Sequence, residues 1–257
     1  MKCLHMSGAG NDFMVIDGRN LHCSDYREMA LRLCAVTGAD GFMAIDNSKR
    51  ADFKLHFYNA DGSRGEMCGN GARCICKFAY DLGIVGERMA IETDSGLVLG
   101  QHLSEERYRV WLNLPTKLEQ RAGIWYAELG DPGLPHAVLE LPELSWGKRD
   151  AFRDLAKSYR HHPEFPKGAN VNFYRKMDDA TIRILTFERG VEDYTLACGT
   201  GSAATVAVLW RQGLVPGGRM TVKNPGGDLT VTVAESQGRL TALTLEGSAV
   251  VLKEYEV

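Results

Sequence analysis

Two cysteines each stand in a Cys-Gly-x-Gly sequence that precedes an apolar stretch. Cys68 begins Cys-Gly-Asn-Gly, and Cys198 begins Cys-Gly-Thr-Gly. Both following stretches repeat apolar residues at intervals of three and four, which predicts a helix starting at each cysteine. The first N–H groups of a helix lack an acceptor within it, so they bind a carboxylate and favour a nearby thiolate. We therefore interpret both cysteines as chemical groups.

A facing pair of such helix starts predicts a specific reaction. A carboxylate held between them would place its α-carbon between two sulfur atoms. One thiolate can remove the α-proton from one face while the opposite thiol donates a proton to the other. The helix N–H groups can stabilise the charge that spreads onto the carboxylate. The pattern predicts inversion of an amino-acid α-carbon without a cofactor.

The remaining cysteines are predicted to be packing residues. The spacing Cys68-x5-Cys74-x-Cys76 contains no Cys-x2-Cys pair, and no second Cys or His cluster completes a tetrahedral set. We therefore predict no metal site. Five cysteines are assigned to packing: Cys3, Cys23, Cys34, Cys74 and Cys76.

The similarity between the two cysteine segments continues downstream. Gly83 and Gly213 each lie 15 residues after their cysteine, and RMAIETDSG in the first half is echoed by RMTVKNPGG in the second. A shared helix, glycine stop and following strand predict an internal duplication. We place one half at residues 1–115, with a closing strand at 247–257, and the other at 116–246.

Local patterns predict a mixture of strands and helices. A helix is expected from a cap at Ser24 or Asp25 to Gly38, with Glu28 completing a capping box, and another within RDAFRDLAKSYR. The helix after Cys198 is apolar almost all round, which suggests enclosure by a sheet. Strands are predicted at FMVID, FKLHFYN, MAIET, LVLGQHL, YRVWLNL, HAVLEL, VNFYRK, TIRILTFE, LTVTVA, LTALTLEG and SAVVLKEY.

The bulk composition excludes several classes of partner. The net charge is −3, and the sequence is 44% hydrophobic and 25% charged, as in globular proteins. There is no basic footprint for nucleic acid or anionic membrane, no signal-peptide core and no apolar run of spanning length. We expect a cytoplasmic protein with a small amino-acid substrate, and the sequence leaves a monomer or a homodimer open.

Ordered motifs along nearly the whole chain resemble those of the diaminopimelate epimerase family. They are SGAGNDFMVID, GADGFMAI, FYNADGSRGEMCGNGARC, PHAV, GANVNF and ERGVEDYTLACGTG. The resemblance implies an α+β fold of two pseudo-symmetric domains, each a mixed sheet curled into a barrel around a central helix. It also implies epimerisation between LL- and meso-diaminopimelate with no cofactor.

The resemblance further implies roles for particular residues. Cys68 and Cys198 would be the acid/base pair, and His136 and Glu188 would help set their ionisation. The reacting α-carboxylate would be held by Gly69, Asn70, Gly199 and Thr200. Asn11 would lie beside the reacting centre, and the distal amino and carboxyl groups would be bound by Asn59, Asn170, Glu188 and Arg189.

Two departures from the family pattern concern substrate recognition. Leu134 replaces the asparagine of the usual Asn-Pro-His, and the stretch from Glu188 to Cys198 is one residue longer, with Tyr194 where an acid is usual. A site that loses a hydrogen-bonding partner can change its specificity.

Three other functions compete with the leading one. A racemase for another amino acid, such as histidine, could use the same scaffold. A thiol-disulfide protein would usually carry a Cys-x-x-Cys pair, which is absent. A non-catalytic amino-acid-binding protein would have no reason to repeat a cysteine at both helix starts.

Overall fold

The computed structural model describes residues 1–21, 23, 25–65 and 68–256, which contain 17 strands and four α-helices. The helices are α1 Arg27–Thr37, α2 Gly69–Asp81, α3 Arg153–Arg160 and α4 Gly199–Arg211. The strands are β1 Lys2–Gly8, β2 Asn11–Asp17, β3 Gly41–Asp46, β4 Phe53–Asn59, β5 Arg88–Thr93, β6 Gly96–Ser104, β7 Arg107–Trp111, β8 Pro115–Arg121, β9 Ile124–Leu129, β10 Leu134–Glu140, β11 Asn170–Lys176, β12 Thr181–Glu188, β13 Asp193–Thr195, β14 Arg219–Asn224, β15 Gly227–Ser236, β16 Arg239–Ser248 and β17 Val250–Glu256.

The chain forms two compact units. Unit 1 comprises residues 1–111 and 246–257, and unit 2 comprises residues 112–245. The strand that ends the chain, β17, therefore belongs to unit 1, where it pairs antiparallel with β1.

The sheet of unit 1 is mixed. Its pairings run β17–β1–β2–β3–β4–β5–β6–β7, parallel between β2 and β3 and between β4 and β5, and antiparallel elsewhere. Helix α2 contacts β1 and β2 near one end of this series and β6 and β7 at the other. The seven strands from β1 to β7, at about 4.8 Å spacing, span far more than the width of one helix. Because α2 contacts both ends of this series, the sheet must curl around it.

Unit 2 repeats this arrangement. Its pairings run β8–β9–β10–β11–β12–β14–β15, parallel between β10 and β11 and between β12 and β14, while β13 pairs with the end of β12. Helix α4 contacts β8, β9 and β15, so this sheet also curls around its helix. The predicted pair of pseudo-symmetric α+β domains is confirmed. Within the described residues, however, the pairings form open series rather than closed barrels.

A second helix covers the other face of each sheet. Helix α1 packs on β2, β3 and β4, and α3 packs on β11. Because both faces are covered, β3 and β11 are buried over five successive residues instead of alternating.

Some local expectations need correction. Helix α1 begins at Arg27 after Tyr26, which makes no side-chain cap bond, so the capping box from Asp25 to Glu28 is wrong. Asp25 Oδ1 instead accepts the Arg27 N–H at 3.0 Å. The cap proposed at Ser24 lies outside the described residues. The predicted helix near residues 149–160 is a 3-10 turn, Trp146–Phe152, followed by α3.

Candidate active site

Both candidate cysteines occupy the N-cap position of a central helix. Cys68 precedes α2 with φ −109° and ψ 119°, and Cys198 precedes α4 with φ −118° and ψ 109°. The Gly71 N–H donates to Cys68 Sγ at 3.5 Å, and the Gly201 N–H donates to Cys198 Sγ at 3.3 Å. The predicted helix starts are therefore confirmed, and each sulfur lies at the positive end of a helix dipole.

The glycines of the two motifs allow close packing beneath the helix starts. A Cβ on Gly201 would overlap Asn172 Oδ1, and a Cβ on Gly71 would lie 3.3 Å from Met43 Sδ. A side chain at Gly201 would displace a buried polar group. The N-terminal turn of each helix thus packs directly on side chains of the sheet.

A chain of polar contacts surrounds the start of α2 in unit 1. Asn70 Nδ2 donates to Asn11 Oδ1 at 2.6 Å, and Asn11 Nδ2 donates to Asp40 Oδ2 at 3.2 Å. Arg73 Nη2 donates to Asn70 Oδ1 at 3.0 Å, which fixes the orientation of the Asn70 amide. Asn11 and Asn70 were expected in the site, whereas Asp40 and Arg73 were not.

Asn59 lies at the end of β4, opposite Gly41 of β3. Its side chain is exposed and donates to Ser63 Oγ at 3.0 Å. The next residue, Ala60, donates its N–H to the Asp40 carbonyl at 3.1 Å. Asn59 therefore belongs to the same end of the sheet as Asn11.

A buried histidine lies in the sheet of unit 2. His136 on β10 is fully buried, and burial together with the positive charge of Arg189 lowers its pKa to about 3. His136 Nδ1 lies 3.3 Å from Asn172 Nδ2, and Asn172 Oδ1 accepts from Thr186 Oγ1 at 2.9 Å. Because Asn172 also donates to the Ala137 carbonyl, its nitrogen faces His136. The imidazole is thus neutral, and its Nδ1 is the acceptor.

The remaining candidates of unit 2 lie at the ends of β11 and β12. Asn170 is buried at the start of β11, and its Oδ1 accepts the Arg189 N–H at 2.8 Å. Glu188 and Arg189 are both half-buried at the end of β12. Arg189 Nη1 donates to the Lys167 carbonyl at 3.4 Å. The Asn170 contact therefore anchors the backbone beside Glu188.

Equivalent sheet positions carry different side chains in the two units. The β2–β3–β4 register aligns Phe13, Gly41 and Asn59, and the β10–β11–β12 register aligns His136 with Asn170. Phe13 thus corresponds to His136. Met43 lies two residues after Gly41, as Asn172 lies two residues after Asn170. Met43 lies against Gly71 of α2, and Asn172 lies against Gly201 of α4. The sheet surface beneath the start of α2 is therefore apolar, whereas the sheet surface beneath the start of α4 is polar.

The structure groups the candidates by unit. Asn11, Asn59, Cys68, Gly69 and Asn70 lie in unit 1, where Asn11 contacts Asn70 directly. His136, Asn170, Glu188, Arg189, Cys198, Gly199 and Thr200 lie in unit 2, where Asn170 contacts Arg189.

The two departures from the family pattern lie in unit 2. Leu134 is the half-buried first residue of β10 and pairs with Leu129. Tyr194 is buried edge-on against Phe187, and Arg153 lies over its ring. Tyr194 is therefore a packing residue of β13.

Comparison with known proteins gives a consistent result. Residues 3–112 and 130–252 match the family described as diaminopimelate epimerase. The diaminopimelate epimerase of Aquifex aeolicus (strain VF5) is 36% identical over 277 residues, covering 100% of this chain and 96% of the relative. That of Chlorobaculum tepidum is 38% identical over 253 residues, covering 95% and 96%.

A solved structure supports the fold. The phenazine biosynthesis protein of the PhzF family from Bacillus anthracis matches with a TM-score of 0.77 and 16% identity, covering 100% of this chain and 98% of that one. At this identity the likeness shows the fold alone.

Proposed function

The chain belongs to the diaminopimelate epimerase family, and on that premise we propose that it interconverts LL- and meso-diaminopimelate by two-base proton transfer, with Cys68 and Cys198 as the bases. The observation that carries this proposal is the matching N-cap geometry of the two cysteines on α2 and α4. Packing alone would not require a cysteine at the N-cap of both α2 and α4.

The proposed reaction is balanced by the two sulfurs alone. One thiolate takes the α-proton and becomes a thiol, and the electron pair passes onto the α-carbon and its carboxylate. The opposite thiol then delivers its proton to the other face and becomes a thiolate. The reverse reaction exchanges the two roles, so each direction needs one cysteine of each kind.

The neighbouring residues suit the binding of a zwitterion. We propose that backbone N–H groups of Gly69, Asn70, Gly199 and Thr200 hold the reacting carboxylate. Arg189 can bind the distal carboxylate and Glu188 the distal ammonium, with Asn59 and Asn170 as hydrogen-bonding neighbours. Asn11 would lie beside the reacting centre. His136, neutral because its pKa is about 3, would assist as a hydrogen-bonding group rather than as a cation.

The first test measures exchange and inversion together. In deuterated water with no added cofactor, either diaminopimelate isomer should incorporate deuterium at the α-carbon. Cys68→Ala and Cys198→Ala should each lower kcat for inversion by roughly 10²-fold to 10⁴-fold, the range for loss of a general acid or base. Cys23→Ala, whose thiol does not cap a helix, should retain activity. Inversion by both cysteine variants at the wild-type rate would refute the assignment.

A second test addresses the distance between the sulfurs. The mechanism requires both to reach one α-carbon, so mild oxidation without substrate should produce a Cys68–Cys198 disulfide detectable by mass spectrometry. All seven cysteines lie within the described residues, and none forms a disulfide. If no such peptide formed under any oxidising condition, the shared-substrate geometry would be wrong.

A racemase of another amino acid is the alternative, and Leu134 is the observation that favours it. An apolar side chain at the start of β10 would not hydrogen-bond a distal polar group. Inversion rates for diaminopimelate, histidine and other common amino acids would separate the two functions. A kcat/KM highest for histidine would establish the alternative.

We propose the cytoplasm as the location, because two thiols that must not form a disulfide suit a reducing compartment. Across the described residues, the helices are all too short or too polar to span a bilayer. A homodimer stays a prediction, which sedimentation equilibrium would test.

A further inference from the structure

Two side-chain amides at the start of α2 belong to a directed series of hydrogen bonds, which we call the amide network. Arg73 Nη2 donates to Asn70 Oδ1 at 3.0 Å, and Asn70 Nδ2 donates to Asn11 Oδ1 at 2.6 Å. Asn11 Nδ2 then donates to Asp40 Oδ2 at 3.2 Å. Arg73 is fully buried and Asp40 is exposed. The network therefore runs from the interior of unit 1 to its surface, through the second residue of α2.

Both ends of the amide network fix the direction of its bonds. A guanidinium has only donors, so the Asn70 atom that faces Arg73 must be the oxygen. The Asn70 nitrogen is then the atom that reaches Asn11, where it needs an acceptor. At the other end, the Asp12 backbone N–H donates to the same Asp40 Oδ2 at 3.0 Å, so this oxygen is an acceptor. The Asn11 nitrogen must therefore face Asp40, which leaves the Asn11 oxygen for Asn70.

Asp40 selects between two orientations of the Asn11 amide. A half-turn about the last side-chain bond exchanges the oxygen and the nitrogen with almost no change in shape. In the exchanged orientation the Asn11 nitrogen would face the Asn70 nitrogen, so two donors would meet and the 2.6 Å bond would be lost. Asp40 opposes this exchange, because its oxygen binds the Asn11 nitrogen and would repel the Asn11 oxygen.

A second aspartate of unit 1 separates this role from a structural one. Asp40 precedes β3, where its N–H donates to the Asp12 carbonyl at 2.9 Å and its Oδ2 accepts the Asp12 N–H at 3.0 Å. Asp52 precedes β4 and makes the same two bonds with Ala90 of β5, at 3.0 Å and 2.7 Å. Both aspartates are exposed. Each thus binds a neighbouring strand, and the bond to Asn11 is an additional contact of Asp40.

The equivalent positions of unit 2 carry side chains with neither an amide nor a charge. The strand registers and the two central helices equate Asn11, Asp40, Asn70 and Arg73 with Leu134, Ala169, Thr200 and Ala203. The hydroxyl oxygen of Thr200 lies 3.5 Å from Cys198 Sγ. The amide network is therefore specific to the helix start that carries Cys68.

We propose that Asp40 is a positioning residue that holds the Asn11 amide with its oxygen towards Asn70. This inference rests on the proposed function, in which Asn11 lies beside the reacting centre and the Asn70 N–H helps to hold the reacting carboxylate. Asp40 acts through Asn11 and does not touch the substrate. Loss of Asp40 frees the Asn11 amide to turn, and the turned amide no longer supports Asn70.

The decisive experiment observes the side-chain amides by proton–nitrogen NMR without substrate. The signals are assigned by their loss in Asn11→Ala and Asn70→Ala protein. Because Asn11 Nδ2 and the Asp12 N–H donate to one oxygen, their protons should show a nuclear Overhauser contact in wild-type protein. In Asp40→Ala this contact should disappear, and the Asn70 side-chain signal should move upfield as its bond to Asn11 is lost. Asp52→Ala should leave both signals unchanged.

Two results would overturn the proposal. One is a wild-type spectrum in which the Asn11 side-chain protons contact the Asn70 amide protons instead of the Asp12 N–H. The other is an unchanged Asn70 side-chain signal in folded Asp40→Ala protein. If Asp40→Ala does not fold, as judged by circular dichroism, the wild-type contacts still decide.

Kinetics test the importance of this orientation for the reaction. Asp40→Ala should lower kcat/KM for diaminopimelate by about tenfold or more, because a misplaced group beside the reacting centre is costly. Asp40→Asn, whose side-chain oxygen can still accept from Asn11, should recover most of this loss. In Asn11→Ala protein, Asp40→Ala should cause no further loss, because its effect passes through Asn11.

Asp52→Ala is the matched control, because it removes the same kind of bond to a neighbouring strand. It should retain the wild-type kcat/KM. A merely structural role for Asp40 would lower kcat/KM equally in Asp40→Ala and Asp52→Ala, or would add to the loss in Asn11→Ala protein. Either result would contradict the proposal.

The two readouts separate this inference from the proposed function. Protein that inverts diaminopimelate, while Asp40→Ala keeps both its Asn70 signal and its kcat/KM, would retain the function and lose the inference. Protein with the expected amide contacts but no α-hydrogen exchange with diaminopimelate would lose the function and retain the orientation that Asp40 gives to Asn11.

Discussion

At the scale of single residues, His136 links the site to the stability of the fold. A histidine in an unfolded chain titrates near pH 6.5, whereas burial lowers the pKa of folded His136 to about 3. Between these values the unfolded chain binds a proton that the folded protein does not. The free energy of unfolding should therefore fall as the pH drops below 6.5, and the loss should continue towards pH 3.

Replacement of His136 should remove this part of the pH dependence. Between pH 7 and pH 5, wild-type protein should lose about 2 kcal/mol more stability than His136→Gln, by urea denaturation at each pH. His161→Gln serves as the control for loss of a histidine, since its side chain is 65% exposed. Parallel pH profiles of the unfolding free energy for wild-type and His136→Gln protein would contradict this account. They would show that His136 takes up its proton over the same pH range in the folded protein as in the unfolded chain.

At the scale of elements, the two central helices end in the same way. Gly83 and Gly213 adopt left-handed conformations with φ of +67° and +75°, and each N–H returns to a carbonyl of the last helical turn. A side chain in this conformation costs roughly 1–2 kcal/mol. Both positions therefore favour glycine because each helix ends in a left-handed backbone conformation.

Gly83→Ala should destabilise the protein by about 1 kcal/mol or more in urea denaturation. A Cβ at Gly83 would meet no atom within 4 Å, so the loss must come from backbone strain. Gly86 offers a matched control, because a Cβ there also meets nothing and its φ is not in the left-handed region. Gly86→Ala should be neutral or slightly stabilising. Equal effects of the two substitutions would contradict this account.

Patterns confined to one element were predictable, and contacts between distant residues were not. Helices α2 and α4 follow from their glycine and apolar spacing, as do strands rich in β-branched residues such as β12 and β15. Strand β8 was not predicted, because most of its residues are exposed and polar and its pairing depends on β9. Arg73 meets Ser248 across 175 positions, and Asn11 meets Asp40 across 29. No local pattern reveals such contacts.

At the scale of the whole molecule, one topology supports two different environments. Both units repeat the sense of strand pairing and the cysteine-capped helix, so the backbone alone does not distinguish them. The side chains at matching positions do: Phe13 corresponds to His136, and Arg73 corresponds to Ala203. A duplicated fold can therefore present two cysteines in equal backbone geometry while surrounding them with different side chains.

The completion of unit 1 by the last strand gives a test at this scale. Strand β17 pairs with β1 at six positions, so deletion of residues 249–257 should expose the amide groups of β1 that face it. Hydrogen–deuterium exchange of β1 peptides should become at least about tenfold faster, equal to about 1.4 kcal/mol of lost protection. Peptides of α4 should be unchanged, because α4 belongs to unit 2. Glu254→Gln breaks only the exposed Lys2–Glu254 ion pair, at 2.8 Å, and should leave β1 protected. Unchanged β1 exchange after the deletion would show that β17 contributes nothing to unit 1, whereas faster exchange in α4 as well would show that both units unfold together.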